Sequence, residues 1–129
     1  MIWAVLFLLT ACQTGTAAQA TTLAVFEVQF APLQRSEGMY ARFGPAGPYY
    51  PERYARMGES GQAILTCHAG ETGVLTSCKI VSATEPEFGL AARIMADRRR
   101  ITAVGSPTPG ETIRVRVPFV IGAAAIVGQ

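Results

Sequence analysis

Residues Gln62–Thr84, QAILTCHAGETGVLTSCKIVSAT, carry the strongest local structure signal in the chain. Two β-rich runs flank Gly70-Glu71-Thr72-Gly73, and each run carries one cysteine. On the first run Ala63, Leu65, Cys67 and Ala69 share a face, with Gln62, Ile64, Thr66 and His68 on the other. On the second, Val74, Thr76, Cys78, Ile80 and Ser82 alternate with Leu75, Ser77, Lys79 and Val81. The turn residues favour a loop of two or four residues. Either length sets Cys67 opposite Cys78, where Cα atoms stand ~4.5–5.5 Å apart, within reach of a disulfide. The rival reading is a pair of buried free thiols. Zinc fits less well, because alternation turns His68 away from Cys67.

Working outward, Tyr49-Tyr50-Pro51-Glu52-Arg53 opens a short helix, Pro51–Met57. Proline suits a first helical position, Glu52 suits the positive end of the helix dipole, and Gly58 is a stop. After the hairpin, Pro86 precedes a helical pattern over Glu87–Arg98, with Phe88, Ala91, Ala92 and Met95 on one stripe and Leu90 and Ile94 beside it. Ala103–Gly110 is a turn-rich loop. In Thr112–Ile121, Ile113, Val115, Val117, Phe119 and Ile121 alternate with a largely polar face that includes Arg114 and Arg116. Pro118 cannot donate to a ladder, so this last strand is expected to form an edge on at least one side. Leu23–Phe30 reads as a further short strand, and Ala31–Gly47 as a loop. The fold class is α+β: a small antiparallel three-stranded sheet with two helices on one face, in the order α-β-β-α-β.

The chain's 129 residues bound this to one domain with a leader or tail. A net charge of +2 is too weak a bias for nucleic acid, and Arg98-Arg99-Arg100 reads as a solvated helix end. Ile2–Leu9 is apolar but far short of the ~20 residues a membrane-spanning helix needs. It fits the apolar region of a secretory signal. Leu9-Thr10-Ala11-Cys12 resembles a bacterial lipobox, which would acylate Cys12 and leave Gln13–Ala20 as a tether. Ala18-Gln19-Ala20 is the alternative, an ordinary cleavage site. Either exit implies an oxidising compartment, which favours a Cys67–Cys78 bridge.

Together these landmarks resemble the C-terminal domain of TonB-family energy transducers. Pro48-Tyr49-Tyr50-Pro51-Glu52-Arg53 is similar to the family's opening motif, and Gly61 and Gly73 to its strand and hairpin glycines. Phe88 with Ala91-Ala92, the arginine stretch ending at Ile101, and the strand Ile113–Ile121 match the remainder. A cysteine pair in the hairpin resembles a subgroup. Ile101 stands where the family usually carries aromatic residues, and no transmembrane anchor or long proline-rich spacer is expected ahead of the domain. The expected organisation is a leader and tether over 1–20, a strand and loop over 21–47, the TonB C-terminal-like domain over 48–121, and a tail over 122–129.

The resemblance implies a periplasmic binding domain associated with energy-coupled transport across the outer membrane, and the lipobox reading adds a lipid anchor at Cys12. Its expected partner is an outer-membrane receptor or another envelope protein, captured by strand addition along Thr112, Arg114, Val115, Arg116 and Val117. A homodimer is a further expectation. The alternative is a small structural cell-envelope lipoprotein that keeps the fold without a transducer role. No enzyme is expected: His68 has no carboxylate placed to orient it, and Ser60, Ser77 and Ser82 lack a nucleophile elbow. Glu85 and Glu87 flank Pro86 as a helix start does, and the glycines are turn residues, not a phosphate cradle. No cofactor or metal is expected.

Overall fold

The computed structural model describes residues 23–121. In chain order the elements are strand β1 (Val25–Phe30), a run of 3-10 turns (Arg35–Tyr49), helix α1 (Glu52–Met57), strands β2 (Gly61–Ala69) and β3 (Leu75–Ala83), helix α2 (Pro86–Asp97), and strands β4 (Ile101–Ala103) and β5 (Thr112–Phe119). The α+β class holds, but the sheet has five strands rather than three, in the order β3-β2-β5-β1-β4. It is also mixed: β1 runs parallel to β5, and every other neighbouring pair is antiparallel. Leader residue Cys12 and the tail lie outside the described residues.

The hairpin reaches the expected cysteine pairing by a different route. Ala69 pairs with Leu75, so the loop has five residues rather than two or four. Thr72 and Gly73 both take positive φ there, and a Cβ on Gly73 would strike the Ala103 carbonyl. An odd loop shifts the register, and β3 recovers it with a bulge. Between the pairs Thr66↔Lys79 and His68↔Thr76, Cys67 alone faces both Ser77 and Cys78, with Ser77 at φ 52°. The Cys67–Cys78 disulfide forms at this bulge, with the Cα atoms 4.1 Å apart. A second bulge places Val81 opposite no partner, between Ile64↔Ser82 and Leu65↔Ile80.

One face of the sheet makes the core. Ala63, Leu65 and Cys67 of β2 and Ile113, Val115, Val117 and Phe119 of β5 are all buried, as their alternation requires. The helices cover this face with Tyr54, Ala55, Phe88, Ala91, Ala92, Met95 and Ala96. Leu90 and Ile94 fall outside the stripe and remain 50% and 40% exposed. The Phe88 ring meets Tyr54 and Phe119 at 5.1 Å, and Tyr50 edge-on at 5.9 Å. Each large side chain buried this way contributes about 1.5–3 kcal/mol. Helix α1 ends as expected at Gly58, and its Pro51 stands at the cap rather than inside the first turn.

Two further expectations change. Ile101–Ala103, at the edge of what reads as loop, is a strand, because β1 offers it a partner that local sequence does not reveal. Arg100 is not a solvated helix end. Its guanidinium reaches Glu37 at 3.0 Å and the Pro32 carbonyl at 3.3 Å, tying the 3-10 segment to the end of α2.

Candidate partner-binding site

The five residues expected to bind a partner lie in sequence along β5, and alternation divides them. Val115 and Val117 point into the core, fully buried, while Thr112, Arg114 and Arg116 line the exposed face. Thr112, Arg114 and Arg116 are thus the side chains of this set that face solvent, and the valines fix the strand in place.

The expectation of a bare edge at β5 is corrected. β2 pairs with it from Gly61↔Phe119 to His68↔Thr112, and β1 occupies its other side with Val25↔Arg114, Phe26↔Val115 and Glu27↔Arg116. The Arg114 N–H donates to the Ala24 carbonyl at 2.9 Å, and the Arg116 guanidinium meets the Glu27 carboxylate at 3.1 Å. Pro118 has no N–H for a neighbouring strand. The β1 ladder stops at Arg116, two residues before Pro118, so the missing N–H does not keep a strand from that side.

Beyond Glu27, β1 leaves β5 and pairs antiparallel with β4: Val28↔Ala103, Gln29↔Thr102 and Phe30↔Ile101. It thus fills a slot between two strands. Phe26, Val28 and Phe30 turn toward the core and are only partly buried, and Val25, Glu27 and Gln29 are exposed. The alternation of Leu23–Phe30 marks a strand in the sequence, but no local signal says that its neighbours are β5 and β4.

The remaining polar groups serve structure. The His68 ring nitrogen Nδ1 stands 3.2 Å from the Thr112 hydroxyl on the exposed face. The Glu87 carboxylate accepts from the Tyr54 hydroxyl at 3.4 Å and lies 3.8 Å from Arg53, so it joins α2 to α1. Burial raises the Tyr54 pKa, and the nearby Glu85 and Glu87 charges push it the same way. Among the described residues no three His, Cys, Asp or Glu side chains converge as a metal site, and no helix is long and apolar enough to cross a membrane.

This geometry defines a small α+β domain whose strand-pairing slot on the last strand already holds an extended segment. The chain belongs to the Gram-negative bacterial TonB protein C-terminal family, whose profile matches residues 46–121. That family is a periplasmic, transport-associated domain. The match includes α1 through β5 and leaves β1 outside it. No curated protein matches the chain.

Proposed function

We propose that this domain binds an extended segment of an outer-membrane receptor, or of another envelope protein, by strand addition at the outer side of β5, in the service of energy-coupled transport. The observation that carries the reading is the pairing of β1: this side of β5 accepts a parallel strand through backbone hydrogen bonds and an acidic side chain on Arg116. Main-chain bonds supply the affinity in such a mode, and the arginines on the exposed face supply preference. Lipidation of Cys12 would keep the domain at a membrane surface.

A photo-crosslinking residue at Arg114, expressed in the periplasm of a Gram-negative host, tests this. The expected product joins residue 114 to the periplasm-facing extended segment of a receptor. A structural lipoprotein without a transducer role predicts no receptor adduct at 114, and that result would overturn the proposal. Cys12→Ser is expected to release the protein from membranes, and a variant that still sediments with them would remove the lipid anchor.

A further inference from the structure

We infer that β1 is an exchangeable occupant of the slot between β5 and β4, and that the partner segment is read by the pattern β1 itself displays. This rests on the strand-addition reading above. The pattern is an extended segment running parallel to β5, with apolar residues at the positions of Phe26, Val28 and Phe30 and a carboxylate in register with Arg116.

Five observations lead here. β1 lies outside the family match, so the α1–β5 module ends where β1 is added to it. Its hold is short: three residue pairs with β5, three with β4, and one ion pair whose side chains are 44% and 62% exposed. An exposed pair of this kind is worth at most about 1 kcal/mol. β1 also contributes no fully buried side chain, whereas β2 and β5 carry the core.

The opposite edge of the sheet is a poor acceptor. β3 is bulged at Ser77 and again at Val81, and Lys79 lies between them, so its outer edge offers no straight run of N–H and C=O groups. The β5–β4 slot shows no register shift, and it offers β5 to residues 25–27 and β4 to residues 28–30. The segment after β1 has its own attachments to the module: the Ala31 N–H donates to the Arg100 carbonyl, and Glu37 pairs with Arg100. Residues 25–30 can therefore leave while residues 35–49 stay docked.

The consequence is competitive. A partner gains the bonds β1 gives up, so its apparent affinity falls by the fraction of molecules in which the slot is open. Weakening β1 must strengthen binding in trans.

The test uses the full chain and a labelled synthetic peptide of residues 23–31, LAVFEVQFA. Glu27→Lys places two cations opposite each other. It is expected to tighten peptide binding about fivefold over the natural chain. Phe26→Pro, which interrupts the β1 ladder, is expected to tighten it further, with faster hydrogen exchange confined to residues 25–30 and to the neighbours they leave, residues 101–104 and the β5 amides bonded to β1, Arg114 among them. A peptide carrying lysine at the Glu27 position should bind every variant more weakly than the natural peptide. Equal affinity of the natural peptide for all three proteins would overturn the exchange while leaving strand addition standing. No binding to Phe26→Pro, with exchange showing β1 released, would overturn both. If Phe26→Pro does not fold, Glu27→Lys decides alone. A concentration-dependent dimer in either variant, with no peptide bound, would show that the slot takes β1 of a second copy and would also overturn the proposal.

Discussion

Gly61 lies directly beneath the ring of Phe88, so close that a Cβ on Gly61 would overlap three ring carbons. This contact joins the start of β2 to the first turn of α2, and it sets how near the helix lies to the sheet. Phe88 is itself 1% exposed and wedged among Tyr50, Tyr54 and Phe119, so its ring has nowhere to retreat. Gly61→Ala is expected to destabilise the domain by about 1–3 kcal/mol through overpacking. Combining it with Phe88→Leu should cost less than the sum of the two single changes. Urea unfolding of all four proteins measures the coupling, and strict additivity would disprove the contact's importance.

The Cys67–Cys78 bridge closes a short loop with a sequence separation of 11. Chain-entropy reasoning assigns such a loop about 2–3 kcal/mol. The double change Cys67→Ala and Cys78→Ala is expected to lower stability by about that much or slightly more, since Cys67 is buried and its sulfur also fills core volume. Chemical denaturation with and without reductant separates the two contributions. A natural protein whose midpoint ignores reductant would show that the bridge adds nothing.

Much of this architecture is legible in the sequence where local chemistry decides it. The alternation of Ile113, Val115, Val117 and Phe119 marks a core-facing strand, and all four are fully buried. Pro51, Gly58 and Pro86 mark helix ends from their backbone limits alone. What the sequence hides is pairing between distant segments. Val25–Phe30 has the period of a strand, yet nothing local says it inserts between residues 101–103 and 114–116. Ile101–Ala103 is too short to show a period at all. Pro118 suggests an open edge because proline blocks a ladder, but a parallel neighbour that stops at Arg116 never needs its missing N–H. The bulge at Ser77 is equally silent, since serine carries no signal for a left-handed backbone. The candidate site therefore had its strand marked and its occupant unmarked.

The Glu37–Arg100 pair should anchor the 3-10 segment to the module. Its side chains are only 18% and 14% exposed, and Glu37 also accepts the Gln34 N–H at 2.9 Å. Removing the charge while keeping the shape, Glu37→Gln, leaves the guanidinium without its counter-ion. The expected loss is about 1–2 kcal/mol, below that of a fully buried pair because some solvent reaches both groups. Hydrogen exchange should quicken over residues 31–49 and remain unchanged in β2. Uniform quickening across the sheet would mean that the pair supports the whole fold instead.

Tyr50 should give the domain an alkaline limit. Burial raises its hydroxyl pKa above the ordinary value of 10.0; a hydrogen bond from Ser60 opposes that shift and the Glu59 charge adds to it. The hydroxyl donates to the Glu59 carbonyl, and the ring packs edge-on against Phe88 and Phe119. In the unfolded chain the tyrosine loses its proton near pH 10, whereas in the fold it holds the proton to higher pH. Its contribution to stability is therefore fully present below about pH 10 and is lost as pH rises through the folded pKa. Tyr50→Phe removes the donor and should cost about 1 kcal/mol at neutral pH. The same change removes a group that ionises in the unfolded chain, so stability should fall less steeply above about pH 10. Unfolding curves for both proteins at neutral and alkaline pH should converge, and parallel curves would exclude Tyr50 as the group that sets the limit.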